Sequence, residues 1–370
     1  MDKRPIDFSE PLRSDLAASA RAVGLHYVHD GFPGIRRRRC GKGFLYLGPQ
    51  GAVLRDKTNL ERIRSLVIPP AWTEVWICVS PRGHLQATGR DARGRKQYLY
   101  HPAWAEFRKE VKFARILQFC DSLPILRRRV AADLGRKGLS REKILAAIVR
   151  LLEKSLIRVG NEVYLRENDS FGLTTLQRRH VDVDAAEIRF AFRGKAGQWQ
   201  ERSVHDRRVA RVLRQILDLP GQELFRYLDG NGEARLVGSE DVNAYLQETT
   251  GADFTAKDIR TWHATVCAAA DLRAIGPAAT PTQARKNVTQ AVREVARMLG
   301  NRPAASRKYY IHPEILEAYR DGTLLPTLEE ILPRIDESFP PELDALETAV
   351  RIFLESRQKE GVFRNEAAGA

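Results

Sequence analysis

Two adjacent tyrosines, Tyr309 and Tyr310, stand among Arg302, Arg307 and Lys308 in the stretch Arg297 to Pro313. An unperturbed phenol ionises at about pH 10 and attacks poorly unless fixed positive charge favours its anion. The basic neighbours suggest a phosphate as the electrophile. Further cations lie far off in the chain: Arg158, Lys195 and Arg260, with the polar Asn301 close to the tyrosines. Two guanidiniums can bracket the non-bridging oxygens of a phosphodiester through paired donors. Tyr310 could then attack the phosphorus in line, Lys195 could protonate the departing deoxyribose oxygen, and Asn301 could donate one more hydrogen bond. With the charges built into the side chains, the chemistry calls for no cofactor and no metal.

Taken singly, each residue is weak. A tyrosine beside basic residues commonly just packs, and a lysine at a turn is commonly just solvated. The elements that would carry them make the set more specific. Ser140 caps a helix whose Ile144, Leu145, Ile148, Leu151, Leu152 and Leu156 fall on one face, and this helix delivers Arg158. Ile188, Phe190 and Phe192 alternate along a strand, the tip Arg193 to Gly197 turns the chain, and Lys195 stands at that tip. Thr255 to Asp258 reads as a capping box opening a helix that carries Lys257 and Arg260. A long helix from Thr282 to Leu299 ends on Gly300, and a new one is expected to restart at Ser306, with both tyrosines in its first turn.

Earlier in the chain the pattern is that of strands. Four consecutive arginines, Arg36 to Arg39, suit phosphate contact. A hairpin with its tip at Gly89 to Gly94 returns through Lys96 to Tyr100, placing Tyr98 and Tyr100 on one face. From Trp104 onward the composition turns helical, with separate amphipathic stretches at Glu106 to Asp121 and Leu123 to Arg136. The expected architecture is therefore α+β. A small antiparallel β domain (residues 1–105) precedes a larger, mainly helical domain (106–370) that ends in a helical extension.

A chain of 370 residues with 43% hydrophobic content can bury two cores, and a formal charge of +14 favours a polyanionic partner. No apolar run is long enough to span a bilayer, and the first residues lack the apolar segment of a secretory signal. Cys40, Cys78, Cys120 and Cys267 are far apart and form no metal or redox motif, as suits a reducing cytoplasm.

Several motifs in order give the set its specificity. They are Gly94-Arg-Lys-Gln-Tyr-Leu-Tyr100, Arg158-Val-Gly-Asn161 with Tyr164-Leu-Arg-Glu-Asn-Asp-Ser-Phe-Gly-Leu173, and Phe192-Arg-Gly-Lys195. Lys257-Asp-Ile-Arg-Thr-Trp262, Leu299-Gly-Asn-Arg-Pro303 and Ser306-Arg-Lys-Tyr-Tyr-Ile-His-Pro313 follow. Together they resemble the type IB DNA topoisomerases, in the compact poxvirus-like form that also occurs in bacteria. The resemblance implies the catalytic fold that this family shares with tyrosine recombinases. It places the catalytic arginines at Arg158 and Arg260, the general acid at Lys195 and the nucleophile at Tyr310. Asn301 falls where the family carries a phosphate-binding histidine, so one cationic donor is replaced by a neutral one. DNA contacts are implied at Gln97, Tyr98, Tyr100 and Tyr164, with Lys257 beside Arg260. Asn161 and Val163 replace two basic residues of the family, so target preference is expected to differ or loosen.

The implied activity is relaxation of supercoiled duplex DNA through a 3′-phosphotyrosyl intermediate, strand rotation and resealing, without ATP or metal. The implied partner is double-stranded DNA, clamped by a monomer that needs neither a membrane nor a protein partner, in the cytoplasm at the nucleoid. Two other readings use the same residues: a tyrosine recombinase, and a non-catalytic DNA-binding architectural protein.

Overall fold

The computed structural model describes residues 16–162, 165–166 and 169–367. Tyr164 and the turn expected at Asn168 fall outside these residues. Contacts divide the chain into two compact units, residues 1–115 and 116–370. No helix among the described residues is long and apolar enough to cross a membrane.

In the first unit, β1 (Ile35–Cys40), β2 (Gly43–Leu47), β3 (Thr73–Ile77), β4 (Leu85–Arg90) and β5 (Lys96–Tyr100) form one antiparallel sheet in the order β2-β1-β3-β4-β5. Ile35, Val75, Ile77 and Ala87 pack with Ile63 from helix Lys57–Ser65, which covers one face. The arginine run proves to be β1 itself, and its residues diverge. Arg36, Arg38 and Arg39 are exposed, whereas Arg37 turns inward. Its guanidinium donates to the carbonyls of Ile68, Pro69 and Trp72 and lies 4.2 Å from the centre of the Phe44 ring. Two prolines leave that turn short of backbone donors, so Arg37 is structural rather than a phosphate contact.

Helix Pro102–Leu134 begins in this unit and ends in the second. The break expected between Asp121 and Leu123 is absent, and Pro124 lies inside a continuous helix. Proline removes one ladder hydrogen bond. Here Phe119, Cys120, Leu123 and Leu126 on both sides of it are fully buried, and packing overrides local propensity.

The second unit is built on one large core. Helix Arg141–Ser155 begins at Ser140, whose hydroxyl accepts from Lys143 N, and every apolar position of its predicted face is buried. Strands β6 (Val181–Asp184), β7 (Glu187–Arg193) and β8 (Trp199–His205) form an antiparallel sheet whose inward residues Ile188, Phe190 and Phe192 join that core. Helices Ser239–Thr250, Ala256–Ile275 and Pro281–Leu299 follow, and the C-terminal helix runs Ala345–Ala367.

A buried ionic knot ties remote helices together. Arg127 Nε donates to Glu153 Oε1 (2.8 Å), and its two terminal nitrogens donate to Glu347 (2.6 and 2.9 Å). Trp262 Nε1 also donates to Glu347 Oε1 (3.1 Å), and His263 Nε2 lies 3.5 Å from Glu153 Oε1. Burial alone would raise the Glu153 pKa, but His263 and Arg127 outweigh it and hold the carboxyl down at about 2. Glu347 is likewise held low by Arg127 against the effect of burial.

Candidate active site

The end of helix Pro281–Leu299 is the point around which the cations gather. Gly300 closes the helix in the left-handed region (φ 58°), and Asn301 N donates back to Ala296 O (2.9 Å). The last carbonyls of a helix lack intrahelical donors and carry the negative end of its dipole. Three guanidiniums from separate elements take them in order. Arg202 Nη2 donates to the carbonyls of Arg297 (3.0 Å) and Met298 (2.9 Å). Arg260 Nη2 donates to Leu299 O (2.8 Å), and Arg158 Nη2 to Gly300 O (3.1 Å). Arg158 Nη2 also donates to Asn301 Oδ1, which fixes the orientation of that amide and turns its Nδ2 away from Arg158.

Each arginine reaches this point by identifiable local structure. Leu156 ends helix Arg141–Ser155 in the left-handed region, and the chain then runs Ile157–Arg158–Val159. The carbonyls of Arg158 and Val159 accept from Leu173 N (2.8 Å) and Thr174 N (2.7 Å). At that crossing a Cβ on Gly172 would fall 2.5 Å from Gly160 Cα, so the two glycine-bearing motifs meet backbone to backbone. Arg260 is 3% exposed, one turn into helix Ala256–Ile275, whose start is held by Asp258 accepting from Thr255 N and Oγ1. Lys257 is exposed on the first turn of the same helix.

Tyr310 does not sit in the first turn of a new helix. Pro303, preset for the first helical position, starts the helix at Pro303–Tyr309, and Tyr310 caps its C-terminal end before the next helix begins at Pro313. Tyr310 N donates to Ser306 O (2.9 Å). Thr265, on the helix that bears Arg260, donates from Oγ1 to Tyr310 O (3.4 Å) and accepts from His312 N (3.1 Å). The Arg260 guanidinium lies 5.5 Å from the centre of the Tyr310 ring. Tyr309 is 49% exposed with Lys308 against its ring.

The electrostatics are those of a site made for an anion. Burial lowers the pKa of Arg158, Arg202 and Arg260, Arg158 depresses Arg260 further, and the neighbouring Tyr310 phenol partly offsets this at Arg260 and Arg158. Arg260 Nε, Arg260 Nη1 and Asn301 Nδ2 are buried with no acceptor in hydrogen-bond geometry among the described residues. Buried donors without acceptors are costly, and three of them beside stacked positive charge fit an oxyanion.

Of the residues expected from the sequence, Arg158, Arg260, Asn301 and Tyr310 converge. Lys195 is exposed at the β7–β8 tip, where Ala196 and Gly197 have positive φ. Its hairpin docks on the same turn through Gln200, whose Oε1 would lie 2.5 Å from a Cβ on Gly300. Tyr98 and Tyr100 belong to the first unit. Both are about half exposed on one face of β5, with rings stacked 6.2 Å apart. Gln97 faces the other way, with Nε2 donating to Asp91 Oδ2 (3.0 Å). Sequence reasoning missed Arg202, Gln200 and Thr265. No local motif marks them, because their partners lie from 45 to 100 residues away in the chain.

A family model described as "Eukaryotic DNA topoisomerase I, catalytic core" matches residues 102–328, and one described as "Bacterial DNA topoisomerase IB, N-terminal domain" matches residues 43–91. DNA topoisomerase 1B of Acanthamoeba polyphaga mimivirus is 32% identical over 296 residues, covering 78% of this chain and 88% of the viral protein. DNA topoisomerase 1B of Vaccinia virus (strain Copenhagen) is 23% identical over 240 residues, 64% of this chain and 73% of that protein. With the arginines, the amide and the tyrosine gathered at one helix end, this chain belongs to the type IB DNA topoisomerases.

Proposed function

We propose that this topoisomerase binds one phosphodiester of duplex DNA against the Gly300 turn and exchanges its 5′-oxygen for the phenolic oxygen of Tyr310. Arg260 Nε and Nη1, the Arg158 guanidinium and Asn301 Nδ2 donate to the non-bridging oxygens. As negative charge grows on those oxygens in the transition state, fixed donors already in place stabilise it without reorganising. The Tyr310 oxygen bonds to phosphorus and its proton passes to solvent. The bond from phosphorus to O5′ breaks, and Lys195 Nζ gives O5′ its proton. The strand end bearing the free 5′-hydroxyl rotates about the intact strand. The hydroxyl then attacks the phosphotyrosyl bond, and Tyr310 leaves. The ester linkage conserves the bond energy, so no nucleotide is consumed, and the arginines supply the charge that a metal would otherwise bring.

The observation that carries this reading is the trio of buried, unaccepted donors on Arg260 and Asn301 beside the Tyr310 ring. Asn301 donates without a charge of its own, so resealing and cleavage draw more heavily on the two arginines. Tyr98 and Tyr100 present their rings to the DNA, and Lys257 a phosphate-directed charge. The reading takes the enzyme as a monomer without an obligatory protein partner, acting on nucleoid DNA in the cytoplasm. The test is relaxation of supercoiled plasmid in EDTA without ATP, with the covalent peptide trapped and sequenced. Tyr310→Phe is expected to abolish relaxation and the covalent adduct. Wild-type activity in that variant, an adduct on Tyr309, or loss of wild-type relaxation in EDTA would overturn the assignment.

A further inference from the structure

We infer that Arg202 is a positioning residue for proton delivery: it holds the Lys195 hairpin to the helix end that gathers the catalytic arginines. The inference rests on the reading of Lys195 as the general acid.

Apart from Arg202, the strand end before the tip is held by Phe171 N donating to Arg193 O (2.8 Å), and the tip itself lies beyond both contacts. Beyond the pair Arg193 and Trp199, the chain turns through Gly194 to Gln198, closed by two backbone hydrogen bonds between Gly194 and its neighbours Gln198 (2.8 Å) and Gly197 (3.1 Å). Lys195 and Trp199 are exposed. Below the tip, strand alternation puts Gln200 and Arg202 on the same face as their cross-strand partners Phe192 and Phe190, towards the interior. Phe192 and Phe190 pack apolar surface, which resists separation but tolerates sliding. Arg202 adds directional contacts. Nη1 donates to Glu201 O (2.6 Å), and Nη2 donates to Gln200 Oε1 (2.8 Å) and to the carbonyls of Arg297 and Met298. One side chain therefore clasps its own strand and the negative end of helix Pro281–Leu299 together.

The next two carbonyls of that helix end hold Arg260 and Arg158. The positions of the phosphate-binding arginines and of the Lys195 strand are thus referred to four successive carbonyls, Arg297 to Gly300. Gly300 and Gln200 also lie close together, since a Cβ at Gly300 would fall 2.5 Å from Gln200 Oε1 unless that amide swung aside. A proton donor must meet its acceptor within hydrogen-bond reach, and misplacement by about an ångström costs on the order of a hundredfold in rate. Arg202 does not need to touch DNA to matter at this level.

The experiment compares cleavage of two synthetic duplexes containing one mapped cleavage site. One has an ordinary phosphodiester there and the other a sulfur in the 5′-bridging position, a leaving group that departs without protonation. Single-turnover rates are measured for the wild type, Lys195→Ala, Arg202→Ala, Arg202→Lys and the Lys195→Ala/Arg202→Ala double variant. On ordinary DNA, Arg202→Ala is expected to slow cleavage by about ten- to a hundredfold. On the sulfur duplex its rate should return to within about threefold of wild type, as for Lys195→Ala, and the double variant should be no slower than Lys195→Ala. Arg202→Lys keeps the charge but not the multiple contacts, and should show a smaller defect with the same rescue. If Lys195→Ala is rescued by sulfur and the Arg202 variants are not, Arg202 acts on the phosphate or the fold and the inference fails. If Lys195→Ala is itself not rescued, the general-acid reading fails first. Should Arg202→Ala not fold, the pattern of Arg202→Lys decides.

Discussion

The β4–β5 ribbon of the first unit and the arginine cluster of the second are knit differently. The tip of the ribbon is local, although Lys96 and Thr88 below it both reach Asp30 (2.6 and 3.0 Å). Asp91 at its tip accepts from the backbone of Arg93 and Arg95 and from the side chains of Arg95 and Gln97, all within six residues. The Arg95 guanidinium is the main reason its carboxyl titrates at about 2. Tyr98 and Tyr100 simply stand out from the strand, about half exposed. The cluster is non-local. Arg158 meets a partner 142 residues away, Arg202 one 95 away and Arg260 one 39 away, and all three are drawn out of solvent. A surface that recognises can be assembled from neighbours and can lose a member cheaply. A site that stabilises a transition state needs buried charge, and buried charge needs a scaffold gathered from the whole domain.

The sharpest way to break this contrast is at the scaffold. Glu347→Ala removes one of the two carboxylates on Arg127 and the acceptor of the buried Trp262 Nε1, and should cost on the order of 3 kcal/mol in unfolding free energy. Asp91→Ala at the ribbon tip should lower the denaturant midpoint by clearly less than Glu347→Ala does. The pH dependence has a definite sign. Glu153 and Glu347 both have folded pKa values below the ordinary 4.5, so their stabilisation is complete above 4.5 and is lost as pH falls through the lowered values, about 2 for Glu153. Melting temperature measured from pH 6 to pH 2.5 should fall less steeply in Glu347→Ala than in the wild type. Equal slopes would mean that the knot is not the acid-sensitive element.

Next in size is the site itself. Arg260→Ala should slow single-turnover cleavage by about a hundredfold or more, while the dissociation constant for duplex DNA moves by no more than about threefold. If affinity fell as far as rate, the cluster would be a binding surface like the ribbon and the contrast would collapse. The smallest effect belongs to the ribbon. Tyr98→Ala should weaken binding by about fivefold, roughly 1 kcal/mol for one exposed aromatic contact, with the cleavage rate of bound DNA unchanged. A titration by fluorescence anisotropy alongside the cleavage assay separates the two.

Much of the local structure was legible in the residues. Ser140 and Thr255 mark helix starts where the hydroxyl and the capping box stand, and the alternation at Glu187 to Phe192 and Lys96 to Tyr100 matches strands β7 and β5. Where reading failed, a longer-range term had prevailed. Pro124 lies inside a helix because its neighbours are fully buried. Arg37 looked like one of four equivalent cations until the carbonyls of the Pro69 turn came into contact with it. The start at Pro303 was a missed local signal, since proline favours the first helical position, and missing it misplaced Tyr310 by a whole helix. In the candidate site, Arg158, Arg260, Asn301 and Tyr310 were named by motif. Arg202 and Thr265 became visible only through the carbonyls and amides they reach.

The knot at Arg127 also sets an order of assembly. Glu347 lies 37 residues beyond Tyr310 along the chain, yet it is bonded to Trp262, two positions from Arg260. During synthesis Tyr310 and the three arginines at the Gly300 turn emerge before the carboxylate of Glu347. A chain broken short of residue 347 leaves Arg127 with Glu153 as its carboxylate partner and Trp262 Nε1 without the acceptor it has in the folded protein. Closing the knot thus waits on the helix Ala345–Ala367.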